Sequence, residues 1–252
     1  FFKERIHSIR RPRPDDFQIK EAAEKIKKSK NPIIISGGGV FYSNAMEELS
    51  NFATKHNIPV TQTVMGYSTM KRDHSHYAGQ IGGLGGKNTN DLAKETDLAI
   101  AVGTKLADFT TGSWANFENE KFKLVSINVS RFDANKHLAQ AVVGDAKVSL
   151  IELSKALGDW KVGDEWNEKS QRELKIWNEH IDKESAPTNQ EVPSYVQVIG
   201  AIYRNSEPTD IAVTAAGGLV GEVVQVWRPK ELNTHESEWG FSCMSYEISG
   251  AL

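Results

Sequence analysis

Apolar positions recur along the chain with two different periods, and the period changes several times before residue 158. In "DDFQIKEAAEKIKKSK", Ile19, Ala22, Ala23 and Ile26 stand at i, i+3, i+4 and i+7, one face of a helix, and Asp15 or Asp16 offers a capping carboxylate. "NPIIIS" follows, a β-branched run without polar alternation, which predicts a strand covered on both faces. The helical spacing returns in "SNAMEELSNFATKHN" through Ala45, Leu49, Phe52 and Ala53. "IPVTQTV", "DLAIAVG" and "KLVSINV" predict three further strands. "GDAKVSLIELSKAL" closes the series as a helix, with Asp145 near its start, where a carboxylate suits the helix dipole. Strands alternating with helices imply right-handed crossovers and a doubly wound, mostly parallel sheet. The reading is therefore α/β: a Rossmann-like domain over residues 15–158, preceded by a linker, 1–14.

Residues 159–193 read as a charged, helical linker. Trp166, Leu174, Trp177 and Ile181 fall within about 80° of arc at about 100° per residue, so the middle is predicted helical, with an apolar stripe that docks onto a neighbouring domain. "SAPTNQEVPS" ends it as a loop. A second α/β pattern then begins and occupies 194–252: "SYVQVIGAIYRN" with one apolar face, "DIAVTAAGG" as strand and glycine turn, "LVGEVVQVW" as helix, and "WGFSCMSYEISGAL" as the start of another helix. It reads as the truncated N-terminal part of a second domain.

Composition narrows the function classes. Apolar residues make up 39% and charged residues 25% of the 252 positions, the balance of a globular protein. A net charge of −3 gives no electrostatic case for nucleic acid or an anionic membrane, and no apolar run suits a membrane span. The single cysteine, Cys243, excludes an internal disulfide and fits a cytoplasmic location. The absence of an initiating methionine and the unfinished C-terminal helix give the expectation of a fragment.

Several stretches invite a site. "SGGGVFYSN" lies where a dinucleotide fingerprint would, but Tyr42 replaces the third glycine and no acidic residue ends the next strand, so it reads as a tight turn. "IGGLGGKNTN" fails as a phosphate-binding P-loop, because Ile81 and Asn88 stand at the required glycine and hydroxyl positions. His74 and His76 lack further ligands at metal spacing and read as a polar loop. Cys243 has no indicated histidine partner and reads as a small buried residue rather than a nucleophile. "VTAAGGLVGE" is more suggestive: glycines after a strand allow close backbone approach, and the following helix presents free N–H groups to a phosphate or diphosphate.

"PIIISGGGVFYSNAMEELSNFATKHNIPVTQTVMG", "GGLGG", "DLAIAVGTKLADFTTG" and "VSINVSRFDANKHLAQAVVGDAK" together resemble the central domain of thiamin-diphosphate enzymes of the acetolactate synthase type. "INVSRFDANK", "TAAGG", "WRPK" and "GFSCMSYEISGAL" resemble the branch of that family that hydrolytically opens a cyclic polyhydroxy diketone in myo-inositol breakdown. The resemblance implies thiamin diphosphate and Mg²⁺ as cofactors, a small-molecule substrate, C–C bond cleavage, and a parent protein that is a homodimer or homotetramer. Carried over residue by residue, it implies that Gly217, Gly218 and Leu219 form the turn meeting the diphosphate. It also implies that the Ser242 carbonyl accepts from the aminopyrimidine, and that Met244 is the bulky residue beneath the cofactor. It assigns no catalytic residue and no metal ligand within this chain, which by itself is expected to be inactive and not to hold the cofactor tightly. Lys105, Leu106 and Ala107 stand where flavin-binding relatives carry arginine, phenylalanine and aspartate, which argues against FAD. Ser245 stands where the family usually has glycine, and "NTHESEWG" departs from the family pattern while keeping Glu238. The alternatives are an acetolactate-synthase-like carboligase and a module binding FAD or a nucleotide.

Overall fold

The computed structural model describes residues 8, 10–238, 240–241 and 243–252. The first half alternates helix and strand as its periodicity requires. Helix α1 (Asp16–Lys27) starts at Asp15, whose carboxylate accepts from the Phe17 amide at 2.9 Å, and buries the stripe Ile19, Ala22, Ala23 and Ile26. There follow β1 (Pro32–Ser36), α2 (Gly38–Tyr42), α3 (Met46–His56), β2 (Val60–Gln62), β3 (Tyr77–Gln80), α4 (Lys87–Glu95), β4 (Leu98–Val102), α5 (Asp108–Thr111), β5 (Lys123–Asn128), α6 (Arg131–Ala134), β6 (Gln140–Val143) and α7 (Ala146–Leu157). Every strand pairing is parallel, in the order β3-β2-β1-β4-β5-β6. The order reverses between β1 and β4, the signature of a doubly wound sheet. All residues of β1 and β4 are buried, which is why these strands read as unbroken apolar runs. Asp145 caps α7 as expected, accepting from the Val148 amide at 3.2 Å.

The edge strands β3 and β6 and helix α4 escape the hydrophobic pattern, as do the short helices α2, α5 and α6. β3 and β6 are four residues each, "YAGQ" and "QAVV", too short to register as apolar runs. α4 buries Asn88 and Thr89 beside Leu92 and Ala93, so its inner face is partly polar. Those side chains bond to strand β3 and its exit: Asn88 Nδ2 donates to the Ala78 carbonyl at 2.9 Å, and the Thr89 hydroxyl to the carbonyls of Gln80 and Gly86. These bonds tie the polar face to backbone, although the Asn88 Oδ1 atom is buried without a partner.

The charged segment after α7 contains one helix of 21 residues, α8 (Asp164–Glu184). Trp166 and Leu174 join the main core, and Trp166 Nε1 donates to the Pro32 carbonyl at 2.8 Å, at the start of β1. Further along, Ile181 packs with Ile199 and Val226, with Trp177 against them, in a second, smaller apolar cluster. The stripe thus serves both parts of the chain.

The second part contains α9 (Tyr195–Arg204), β7 (Ala212–Thr214), α10 (Leu219–Val226), β8 (His235–Ser237) and α11 (Tyr246–Gly250). β7 and β8 pair in parallel, Thr214 opposite Ser237, with α10 in the crossover between them. α9 opens on a capping box in which Ser194 and Gln197 exchange hydrogen bonds. No helix among the described residues is long and apolar enough to cross a membrane.

Candidate functional site

In an open α/β sheet, ligands gather beyond the carboxyl ends of the strands. β7 leads into the turn holding Gly217 and Gly218, and β8 leads into the loop holding Met244. Because the two strands are adjacent and parallel, both connections leave the same edge, and the Glu238 amide ties them by donating to the Thr214 carbonyl at 3.2 Å.

Gly217 has φ +103, a conformation that favours glycine. Gly218 is the N-cap of α10, with no side chain hydrogen-bonded at the cap. A Cβ built on either glycine would meet no atom within 4 Å, so the backbone faces open space. The first-turn N–H groups and the positive end of the helix dipole lie at this open turn, an arrangement that suits an anion. Leu219, the first helical residue, is about half exposed, and Glu222 adds a carboxylate in the first turn.

Across the strand pair, Glu238 organises the second loop. Its carboxylate accepts from the amides of Phe241 at 2.7 Å and Cys243 at 2.9 Å. These bonds to the charged form hold its pKa below the usual carboxylate value. Met244 is 78% exposed and Phe241 90%, so this loop carries two large apolar side chains open to solvent. Ser242 lies outside the described residues. Ser245 has φ +76, in the left-handed region, which gives a physical sense to a glycine at that position. Cys243, expected to be buried, is exposed. Its own amide and that of Phe241 are drawn to Glu238 rather than into a core.

Beneath these loops lie two residues that the sequence reading did not single out. His235 is buried on β8, and burial pushes it down to about 4, so the ring is neutral at physiological pH. Tyr67 packs edge-on against it, with centroids 5.1 Å apart and planes at 76°. The Tyr67 hydroxyl donates to the carbonyls of Val224 at 3.0 Å and Trp227 at 2.6 Å. Burial above all holds the Tyr67 phenol well above its ordinary pKa, so it remains a donor.

The other motifs resolve as structure. Gly39 N donates to the Gly103 carbonyl at 2.9 Å, and Gly37 N to that of Val102 at 2.9 Å, so "SGGG" is a turn packed against the backbone after β4. The 82–86 loop is braced by α4 and α5: Gly83 N donates to the Phe109 carbonyl at 2.7 Å and Gly82 N to Asn90 Oδ1 at 2.9 Å. His76 Nε2 pairs with Asn57 Oδ1 at 2.9 Å, and the His74 ring accepts from the His76 amide at 3.1 Å, a hydrogen-bonded polar loop. Among the described residues, no three His, Cys, Asp or Glu side chains gather at metal-ligand spacing.

Comparison with known proteins matches residues 19–153 to the family described as "Thiamine pyrophosphate enzyme, central domain". Over its whole length the chain is 37% identical to a 3D-(3,5/4)-trihydroxycyclohexane-1,2-dione hydrolase of Clostridium tetani. It is 35% identical to the protein of that name from Bacillus anthracis and 36% identical to that of Bacillus cereus, again over its whole length. In each case the chain spans 43% of the relative's length.

Proposed function

The chain belongs to the thiamine pyrophosphate enzymes through its central domain, and we propose that its parent protein is a thiamin-diphosphate-dependent hydrolase that opens a cyclic polyhydroxy 1,2-dione by cleaving a C–C bond. The names of its relatives supply the substrate class. The observation that carries the cofactor role is the open glycine turn at the N-terminus of α10, placed beside the Met244 loop by the parallel pairing of β7 and β8.

Bound thiamin diphosphate supplies a nucleophilic carbon and an electron sink for the carbanion left when a C–C bond breaks. In this reading the chain's own residues do the holding. The backbone at Gly217, Gly218 and Leu219 binds the diphosphate with N–H groups that no side-chain cap occupies. Met244 supports the cofactor with flexible apolar bulk, and Ser242 contributes a backbone carbonyl. Glu238 anchors the amides of Phe241 and Cys243, the residues flanking position 242. The described residues gather no ligand set for Mg²⁺, so none is assigned here. Assembly as a homodimer or homotetramer belongs to the same proposal.

The test is calorimetric titration of the full-length gene product with thiamin diphosphate and Mg²⁺, alongside a ring-opening assay on the cyclic dione. Saturable binding that weakens in Gly218→Val, whose side chain would block the open face of the turn, supports the reading. Binding unaffected by that substitution, or ring opening without added or bound thiamin diphosphate, overturns it.

A further inference from the structure

Tyr67 belongs to the first α/β unit, where its hydroxyl also meets that of Tyr77 on β3, yet its ring and hydroxyl reach across to the second. It follows a single 3₁₀ turn, Val64–Gly66, at the exit of β2. Its hydroxyl reaches residues 157 and 160 positions further on, the carbonyls of Val224 and Trp227. Val224 is in the last turn of α10, where carbonyls lack an intrahelical partner, so the phenol acts as a C-terminal cap supplied from another part of the fold. The opposite end of that eight-residue helix is the Gly218 cap. A helix of this length is a rod of about 12 Å, so fixing one end limits the movement of the other. The ring of Tyr67 meanwhile rests on His235 of β8, three residues before Glu238.

We infer that Tyr67 is the positioning residue for the cofactor site: one side chain of the central domain holds both α10, with its glycine turn, and β8, with the Glu238 loop. The inference rests on the reading of these loops as the thiamin diphosphate site. It assigns Tyr67 no contact with cofactor or substrate; its action passes through helix α10 and His235.

The experiment compares the full-length gene product with Tyr67→Phe, which keeps the ring and removes the hydroxyl. Ile26→Val, in the core of α1 and away from both loops, serves as a control for general destabilisation. Hydrogen exchange is followed without cofactor at the hydrogen-bonded amides of Gly221 and Trp227 in α10 and of Phe241 and Cys243, and thiamin diphosphate is then titrated. Tyr67→Phe is expected to speed exchange at Gly221 and Trp227 of α10 on the order of tenfold, the scale of one lost buried hydrogen bond, and to weaken thiamin diphosphate by a similar factor. The control is expected to do neither, and kcat at saturating cofactor should be retained. Unchanged exchange at Gly221 and Trp227 in Tyr67→Phe, or equal acceleration in Ile26→Val, overturns the inference. If the parent protein binds no thiamin diphosphate, the cofactor reading fails, and the exchange comparison still decides whether Tyr67 positions the loops.

Discussion

Gly39→Ala sets two physical effects against each other in the central domain. By helix propensity alone the substitution is favourable, since Gly39 lies in α2 and alanine outranks glycine there by about 1 kcal/mol. Packing opposes it. A Cβ at this position would lie 2.6 Å from Gly103 Cα and 3.0 Å from the Gly103 carbonyl oxygen, where ordinary carbon contacts fall at about 3.5–4.0 Å. Gly103 has little room to retreat: it adopts φ +61, and its amide donates to the Ile127 carbonyl at 2.9 Å. The turn must therefore lift by about 1 Å, which strains the Gly39–Gly103 hydrogen bond as well. Overpacking at about 1–3 kcal/mol plus a hydrogen bond at about 1 kcal/mol, less the propensity gain, leaves a net loss of about 2 kcal/mol. Urea unfolding should show a lower midpoint at unchanged m, and the thermal midpoint should fall by about 4–8 °C for a chain of this size. A neutral or stabilised Gly39→Ala protein would refute the packing argument and reopen the β1 turn as a place with room for a ligand.

Two further expectations follow from the second part of the fold. His235 titrates near 4 when folded against an ordinary 6.5, so the unfolded chain takes up the proton first as pH falls. Its contribution is complete above about pH 6.5 and is lost towards pH 4, by about 3 kcal/mol, and the stability gap between wild type and His235→Gln should shrink across that window; parallel curves would assign the acid sensitivity elsewhere. Glu238→Gln removes the charged acceptor of the Phe241 and Cys243 amides, so those two amides should exchange faster while β1 and β4 remain protected; unchanged exchange would show that the turn holds its shape without the carboxylate.

What could be read in advance depended on where each segment's partners lie. β1 and β4 are covered on both faces, so burial wrote itself into their composition, and the caps at Asp15 and Asp145 are local bonds spanning two or three residues. β3, β6 and α4 were not visible because their places are set by sheet edges and by side chain-to-backbone bonds such as Asn88 to Ala78. The glycine turn before α10 was legible, since few residues tolerate its geometry. Tyr67 was not: it sits in an unremarkable "MGYST", and what gives it a role is two carbonyls far along the chain. The exposure of Cys243 was missed for a similar reason, because it follows from Glu238 gathering the surrounding amides.

The bond between Tyr67 and α10 is made to main-chain oxygen, and every amino acid carries one. Inherited changes at positions 224 and 227 can therefore alter side chains while leaving the acceptors in place, whereas position 67 must keep a donor of one length on a flat ring. The two sides of the seam are thus unequally free to drift. Among descendants of a common ancestor, positions 224 and 227 should vary among apolar types while the tyrosine stays, and a lineage that lost the phenol would need to secure the glycine turn by some other means.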